Sequence, residues 1–174
     1  KYIVNFNKTC AVTSIVGYII GIGDRHLNNI MISLTDGGLV HIDFADCFEV
    51  DQIRENSPER VPFRLTRNLI EAFGPCGVNG TFRSTCEETL ALIRENREMI
   101  YNILEVFIIS PIQDYGIARD LARSDDEIKF IQTTNNYKMQ RIQQKLNGTD
   151  RKIIMDENII KKKYCSKIKK NDNE

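Results

Sequence analysis

The apolar positions near the start of the chain repeat with the period of an α-helix. From Thr9 to about Gly21 they recur every three or four residues, at Val12, Ile15, Val16 and Ile19. Threonine is a residue type that caps the beginning of helices, and glycine is one that ends them. The pattern predicts an amphipathic helix from Thr9 to Gly21.

Two short apolar runs follow, Ile30–Leu34 and Leu39–Phe44, and the turn sequence Asp36-Gly37-Gly38 lies between them. Aspartate and glycine accept the positive φ angles that a tight turn requires. We expect a β-hairpin. Its turn should bring Asn29 and Asp43 almost opposite each other at the open end.

The rest of the chain reads as a long polar loop followed by helices. Residues 45–62 show no period, and such loops are often functional. Helical patterns follow at Phe63–Phe73, at a second stretch with a capping box at Ser84, and at Ser124–Leu146. For the last of these we expect Ser124 as the cap and Asn147-Gly148 as the stop. The second helix should end at Pro111, with an apolar stripe at Cys86, Leu90, Ile93, Ile100, Leu104 and Phe107. The fold class is α+β, mainly α, with one small hairpin.

Composition narrows the function classes. Of 174 residues 41% are hydrophobic, enough for one domain core, and 24 basic residues balance 24 acidic ones. A net charge of zero argues against direct binding to nucleic acid. We expect no transmembrane segment, because no apolar run reaches roughly 18 residues. The last 24 residues, 151–174, are rich in lysine, and we expect them to be poorly ordered.

The five cysteines favour a reducing compartment. They are scattered and lack CxxC spacing, so neither a disulfide framework nor a zinc site is expected. We expect a cytoplasmic protein, with the nucleus or membrane association through partners as alternatives. A helical pattern begins soon after Lys1, so we also expect the chain to begin within a longer polypeptide.

Three polar residues around the hairpin have the spacing of a phosphoryl-transfer site. Asp24 precedes Asn29 by five positions, and Asp43-Phe44 closes the second strand. Phosphoryl transfer needs an oriented hydroxyl nucleophile and metal ions across the phosphates. Asn29 and Asp43 offer two oxygen ligands for one Mg²⁺, and Asp24 could reach a substrate hydroxyl. An isolated aspartate is more often a cap, but the set of three favours function.

These segments resemble the catalytic and metal-binding segments of the phosphatidylinositol 3-/4-kinase superfamily. The resemblance lies in GDRHLNNIMI at Gly23–Ile32 and LVHIDFADCFEV at Leu39–Val50. The stretch Pro58–Pro111 is similar to the related protein-kinase branch. DCFEV, together with QRIQQKLNGTD at Gln140–Asp150, is most similar to the target-of-rapamycin serine/threonine kinases. The resemblance to the superfamily covers about residues 9 to 150.

The resemblance implies a carboxy-terminal kinase lobe over residues 1–150, with a catalytic loop at about 22–30, an activation segment at about 43–66 and carboxy-terminal helices at about 63–146. Asp24 would orient the attacking hydroxyl and take its proton, and His26 would lie beside the γ-phosphate. Asn29 and Asp43 would hold Mg²⁺ (or Mn²⁺), and Met31 and Ile42 would close the adenine pocket of ATP from below. His26 could equally be a hydrogen-bonded structural residue, and Met31 and Ile42 could be core.

The resemblance also implies partners. The amino-terminal lobe and a helical-repeat region would lie upstream in the same polypeptide, regulatory subunits would form a complex with it, and proteins would be its substrates. Without that lobe the chain alone should not turn over ATP.

Two features leave alternatives open. The loop from Ala45 to Val61 carries more acidic than basic residues, which disfavours an anionic lipid headgroup and favours protein substrates. A phosphoinositide kinase and a non-catalytic scaffold remain the alternatives. The triplet Asp43-Phe44-Ala45 also has alanine where the family has glycine, which would matter if the backbone there needs a positive φ.

Overall fold

The computed structural model describes residues 1–49, 61–109 and 125–150, with the backbone alone at 125–131. The described elements are α1 (Tyr2–Ile20), β1 (Ile30–Ile32), β2 (Leu39–His41), α2 (Arg67–Ala72), α3 (Thr81–Glu95), α4 (Arg97–Ile109) and α5 (Asp125–Asn147). Helices dominate, and the two strands form a small antiparallel sheet. This confirms the predicted fold class. The predicted tail at 151–174 lies outside the described residues.

Helix α1 begins seven residues before the predicted start. Thr9 is not a cap; its hydroxyl donates to the carbonyl of Asn5 at 2.8 Å and accepts the amide of Leu39 at 2.8 Å. A threonine hydroxyl can bond back into its own helix, and here it also ties the helix to the hairpin. The predicted end is confirmed, because Gly21 has φ 61°. Of the predicted apolar face, Ile15 and Ile19 are buried but Val12 and Val16 are exposed.

Because it starts early, α1 is long and apolar enough by length and composition to cross a membrane. A window of 18 residues within this 19-residue helix has a mean hydropathy of 1.3, and 44% of that window is buried inside the fold. The helix packs against α3 and β2, as a core helix does. Such a helix is weak evidence for a membrane span, and the expectation of no transmembrane segment stays a prediction.

The hairpin forms where the turn residues predicted it. Ile30 pairs with His41, Met31 with Val40, and Ile32 with Leu39. Gly37 has φ 73°, as the turn requires. The amide of Ile42 donates to the carbonyl of Asn29 at 3.1 Å, so the pairing extends one step beyond the strands and ends beside Asp43.

Two apolar cores form along α1, one at its amino-terminal half and one at its carboxy-terminal end. The amino-terminal core consists of Phe6, Cys10, Ala11, Leu39, Phe73 and Phe82. Within it the rings of Phe73 and Phe82 stack with centroids 4.7 Å apart. The carboxy-terminal core consists of Ile19, Cys47, Phe48, Ile108, Met139, Ile142 and Leu146. Helix α5 therefore packs against the chain that directly follows the hairpin.

The predicted helix from Ser84 to Pro111 is two helices. Helix α3 begins at Thr81, and Ser84 donates its hydroxyl to the Thr81 carbonyl, so the predicted capping box is wrong. The helix breaks at Asn96, whose side chain donates to the Leu92 carbonyl. Leu90, Ile93, Ile100 and Leu104 do pack on the carboxy-terminal core, whereas Phe107 is exposed and Ile108 is buried in its place. In α4 the positions that face this core are therefore Ile100, Leu104 and Ile108, which follow one another at intervals of four residues.

Two other predicted helix boundaries differ in accuracy. Helix α2 covers only Arg67–Ala72 of the predicted Phe63–Phe73. Helix α5 ends at Asn147, before Gly148 with φ 71°, as predicted. The predicted cap at Ser124 and the predicted stop at Pro111 lie outside the described residues.

Candidate functional site

Asp24 lies in the loop that follows α1, with its backbone in an uncommon conformation. Its φ of 53° is in the left-handed region, which non-glycine residues occupy at a cost of about 1–2 kcal/mol. Its side chain is 52% exposed. A strained, accessible carboxylate is typical of functional sites, since surrounding structure must hold it there.

His26 lies beside Asp24. Its Nε2 atom is 3.6 Å from Oδ2 of Asp24. Its Nδ1 accepts the amide of Asn28 at 3.2 Å and so begins a short 3-10 turn, Leu27–Asn29. In this bond Nδ1 is the acceptor, and Nε2 is the nitrogen that faces Asp24. His26 thus has a structural role, and its predicted catalytic role stays a prediction.

Asn29 is buried and oriented by Asp24. Its Nδ2 donates to the Asp24 carbonyl at 2.9 Å and lies 3.5 Å from Asp24 Oδ2. Since the amide nitrogen is engaged there, the amide oxygen Oδ1 is the atom left to act as a ligand. The five-residue spacing therefore brings Asn29 into direct contact with Asp24.

Asp43 stands at the open end of the hairpin and also has a left-handed backbone, with φ 59°. Its Oδ1 accepts the amide of Ala45 at 3.2 Å. In the part of the chain that the structure describes, its carboxylate forms no ion pair. Positive φ angles at described non-glycine residues occur at Asp24, Asp43, Phe48 and Glu49, not at Ala45. Alanine in place of the family glycine therefore causes no backbone strain.

Arg25, which the sequence analysis did not single out, joins these residues. It is buried, and its guanidinium donates to the carbonyls of Gly23 at 2.7 Å, Ile42 at 2.8 Å and Asp43. It thus links the loop of Asp24 to the strand end that bears Asp43. Only its position between an aspartate and a histidine in the sequence could have drawn attention to it.

Met31 and Ile42 lie on one face of the hairpin. Met31 pairs with Val40, and Ile42 is two residues further along the same strand, so all three share a face. They are 53%, 48% and 39% exposed for Met31, Val40 and Ile42. Met31 and Ile42 are therefore not core residues. An exposed apolar face beside Asn29 suits an adenine ring, and that role stays a prediction.

A groove opens on the other side of Asp24. Its volume is about 640 Å³, and its lining comprises Ile22, Asp24, Arg25, His26 and residues 61–66. Arg64, one of the lining residues, donates to the Arg25 carbonyl at 3.4 Å. Asp24 and His26 therefore lie on the wall of a groove.

The donor set at this corner fits a hard divalent cation. Mg²⁺ binds through one or two protein oxygens and takes its other ligands from phosphates and water. Asn29 Oδ1 and the Asp43 carboxylate are oxygens of that kind. Among the described residues no group of three histidine, cysteine, aspartate or glutamate side chains could hold a metal by themselves. The pair therefore fits Mg²⁺ or Mn²⁺ held jointly with a nucleotide.

A buried group of charges that the sequence analysis missed lies nearby. We name the side chains of Glu49, Arg141, Lys145 and Asp150 the ion cluster. Arg141 donates to Glu49 at 2.9 and 3.1 Å and to Asp150 at 2.9 and 3.1 Å. Lys145 lies 2.7 Å from Glu49 and donates to the carbonyl of Tyr18 at 2.8 Å. No sequence rule pairs charges 92 positions apart.

The ion cluster is electrically balanced and desolvated. Burial would raise the pKa of the Glu49 carboxyl, but its hydrogen bonds and its attraction to Arg141 and Lys145 outweigh burial and lower the pKa. Burial lowers the pKa of Lys145 against the attraction of Glu49. The pKa of the Tyr18 hydroxyl is raised by burial and by Asp150, to which it donates. Two carboxylates and two cations therefore neutralise each other inside the fold.

Comparison with known proteins shows to which family the chain belongs. The family model described as phosphatidylinositol 3- and 4-kinase matches residues 1–117. The chain is 46% identical to the serine/threonine-protein kinase mTor of Drosophila melanogaster over 113 residues, 65% of this chain and 5% of that protein. It is 38% identical to the target of rapamycin homolog of Caenorhabditis elegans over 159 residues, 84% of this chain and 6% of that one.

A solved structure shares the fold. The FAT and kinase domain of CtTel1 superposes with a TM-score of 0.67 at 28% identity, covering 92% of this chain and 11% of that one. The chain spans only a small part of each of these proteins. It belongs to the phosphatidylinositol 3- and 4-kinase family, and target-of-rapamycin kinases are among its relatives.

Proposed function

We propose that this chain is the part of a protein kinase that positions the acceptor hydroxyl and holds the metal, in an enzyme that transfers phosphoryl groups from ATP to serine or threonine. The supporting observation is that Arg25 and Asn29 bring Asp24 and Asp43 to one corner of the fold. The name of the fly relative, a serine/threonine-protein kinase, agrees with this class of activity. The proposal extends to residues and substrates that this name does not specify.

Asp24 is the group that meets the acceptor. Its carboxylate opens onto the groove and can accept the hydroxyl proton as the oxygen attacks the γ-phosphorus. His26, at 3.6 Å, can donate from Nε2 to the same carboxylate or to a phosphate oxygen. The bond from Asn29 to the Asp24 backbone carbonyl holds the loop in place, and Asn29 Nδ2 also lies 3.5 Å from Oδ2 of the carboxylate. Positioning of this kind supplies most of the catalysis in phosphoryl transfer.

Asn29 and Asp43 are the residues that would hold Mg²⁺ or Mn²⁺. The metal supplies neutralisation of the charge on the transferring phosphate. Met31 and Ile42 would contact the adenine ring on the exposed face of the hairpin. A phosphate loop and its lysine would come from another part of the polypeptide, so we expect these 174 residues alone not to turn over ATP.

The preference for protein acceptors rests on the excess of acidic residues in the loop from Ala45 to Val61. Glu49 is one of these acidic residues, but it is buried in the ion cluster and cannot face a substrate. Asp46 is described, whereas Asp51, Glu55 and Glu59 lie outside the described residues. Without Glu49 the loop is still more acidic than basic in sequence, and it still disfavours an anionic headgroup.

The test is Asp24→Asn in the full-length protein. We expect transfer from ATP to a serine- or threonine-containing protein to fall about 10²–10⁴-fold, the contribution of a positioned base. Asp36→Asn is the matched control, since Asp36 lies in the hairpin turn at the opposite end of the sheet. It should retain wild-type activity.

The alternatives predict different results. Transfer to phosphoinositide vesicles with none to protein would replace the proposal with a lipid kinase. An unchanged cellular phenotype for Asp43→Asn in the full-length protein would favour a non-catalytic scaffold.

A further inference from the structure

The chain that follows Asp43 ends in a turn of unusual conformation. Phe48 and Glu49 are consecutive, and both have left-handed backbones, with φ of 62° and 57°. Neither is glycine, so each residue is strained in this conformation. Strain of this kind persists only where other contacts hold it.

This turn is paired to the stretch that leads into Asp24. The amide of Phe48 donates to the Ile20 carbonyl at 2.8 Å, and the amide of Glu49 to that of Gly21 at 3.0 Å. The amide of Gly23 donates to the Asp46 carbonyl at 2.7 Å. Three hydrogen bonds thus join the segment just before Asp24 to the segment just after Asp43.

Helix α5 holds the turn from the outside. Arg141 donates to both carboxylate oxygens of Glu49. Lys145 pairs with Glu49 and also donates to the carbonyl of Tyr18 near the end of α1. Phe48 lies in the carboxy-terminal core with Ile142 and Leu146 of the same helix. A side chain at Gly21 would collide with Glu49, since a Cβ there would lie 2.7 Å from Glu49 Cγ. The fit leaves little freedom for the turn to shift.

We propose that Arg141 and Lys145 are positioning residues for the phosphoryl-transfer site. By holding Glu49 in its strained turn, they keep the segments of Asp24 and Asp43 in register, although neither residue touches the site. This inference rests on the proposed function for its effect on catalysis. Its structural part, that the ion cluster holds the paired segments together, can be measured without any kinase activity.

The experiment compares Arg141→Gln with wild type in the full-length protein. Hydrogen exchange by mass spectrometry, on peptides that cover residues 20–25 and 44–49, reports the amides of Gly23, Phe48 and Glu49. We expect exchange at these amides to accelerate at least tenfold, and kcat for phosphoryl transfer to fall about 10–100-fold, because small displacements of reacting groups have effects of that size. KM for the protein acceptor should change less than about threefold, since Arg141 does not line the groove.

Arg83→Gln is the matched control. Arg83 pairs with Glu87 on the exposed surface of α3, so the same substitution removes an ion pair without touching the turn. It should leave exchange and kcat at wild-type values. Arg141→Lys keeps the charge but cannot reach both carboxylates with paired donors, and it should fall between wild type and Arg141→Gln. If Arg141→Gln does not fold, Arg141→Lys is judged by the same two measurements.

The outcomes separate the two proposals. Wild-type exchange at the three amides in a folded variant would overturn the inference, and so would faster exchange with unchanged kcat. If the wild-type protein shows no phosphoryl transfer, the proposed function fails, and Mn²⁺ binding is measured instead of kcat. The inference then requires Mn²⁺ affinity to fall in Arg141→Gln and not in Arg83→Gln, and equal affinities would overturn it.

Discussion

Asp24, Asp43 and Glu49 lie on the same stretch of chain, yet their carboxylates have opposite electrostatic surroundings. Asp24 is half exposed, and the Asp43 carboxylate forms no ion pair with a described residue, although the Arg25 guanidinium donates to the Asp43 backbone carbonyl. Glu49 is 6% exposed and meets Arg141 and Lys145. The Asp43 carboxylate accepts the neutral amide of Ala45, which does not cancel its charge, so it can still attract a cation from solution.

The ion cluster shows the complementary behaviour. Its charges cancel internally, and removing one partner leaves another charge buried without compensation. Such a cluster cannot bind a substrate, but it can hold backbone in a strained position. The role of a carboxylate in this fold therefore depends on which groups neutralise its charge. The predictions below test this difference between Asp43 and Glu49, in order of decreasing effect on the free energy of unfolding.

Glu49→Ala should have the largest effect. It leaves two buried cations, Arg141 and Lys145, with Asp150 as the one remaining carboxylate of the ion cluster, and we expect a loss of about 3–5 kcal/mol in the free energy of unfolding. Urea denaturation of the purified chain at neutral pH measures it. Glu87→Ala, which breaks an exposed ion pair, should lose about 0.5 kcal/mol or less. A loss at Glu49 as small as that at Glu87 would mean that the ion cluster does not stabilise the fold.

Gly21→Ala should be next. The left-handed backbone alone costs about 1–2 kcal/mol for alanine, and the new Cβ would also displace Glu49, so we expect roughly 2 kcal/mol or more. The same denaturation measures it. In Gly21→Ala/Glu49→Ala the two losses should not add, because both break the same contact. Simple additivity would show that Gly21 and Glu49 act separately.

Acid should weaken the ion cluster through Glu49. Its pKa is lowered in the fold from an ordinary value of 4.5, so its contribution to stability is complete above about pH 4.5 and is lost as the pH falls through the folded value. Glu49→Gln cannot lose this contribution. Thermal unfolding midpoints between pH 3 and pH 6 should fall more steeply for wild type than for Glu49→Gln. Glu87→Gln, at an exposed position, should keep the wild-type slope, and parallel curves for all three proteins would contradict the assignment.

Asp43→Asn should have the smallest effect on stability and a clear effect on metal binding. Asparagine tolerates the left-handed backbone about as well as aspartate, so we expect a change of about 1 kcal/mol or less in unfolding. Mn²⁺ affinity in the presence of nucleotide, measured by calorimetry on the full-length protein, should fall about tenfold or more, because a charged oxygen ligand is lost. Asp36→Asn should change neither quantity. An unchanged Mn²⁺ affinity in Asp43→Asn would remove it from the proposed metal site.

Much of the candidate site could be predicted because it is built from neighbours in sequence. The turn at Gly37 sets the hairpin register, which brings the end of the second strand beside Asn29. The five-residue spacing from Asp24 to Asn29 closes a local hydrogen bond. Helix ends marked by glycine, at Gly21 and Gly148, were predicted for the same reason: a single residue's φ preference decides them.

Predictions failed where a side chain found its partner through the tertiary fold. Thr9 looks like a cap in sequence, but the hairpin supplies a donor for its hydroxyl in mid-helix. For Arg25 there was no prediction at all, because the carbonyls to which it donates belong to two segments that only the fold brings together. Val12 and Val16 continue an apolar face that the neighbouring elements do not cover.

The sequence by itself determined the mainly helical class, the hairpin, and the identity and spacing of Asp24, Asn29 and Asp43, because φ preferences and hydrophobic periods act within a few residues. Only the tertiary structure decided which charges are neutralised. Glu49 and Arg141 meet because α5 packs its apolar face against Phe48, and burial then makes their pairing obligatory. Desolvation depends on the whole fold, and it is what separates a buried structural carboxylate from one open to a metal ion.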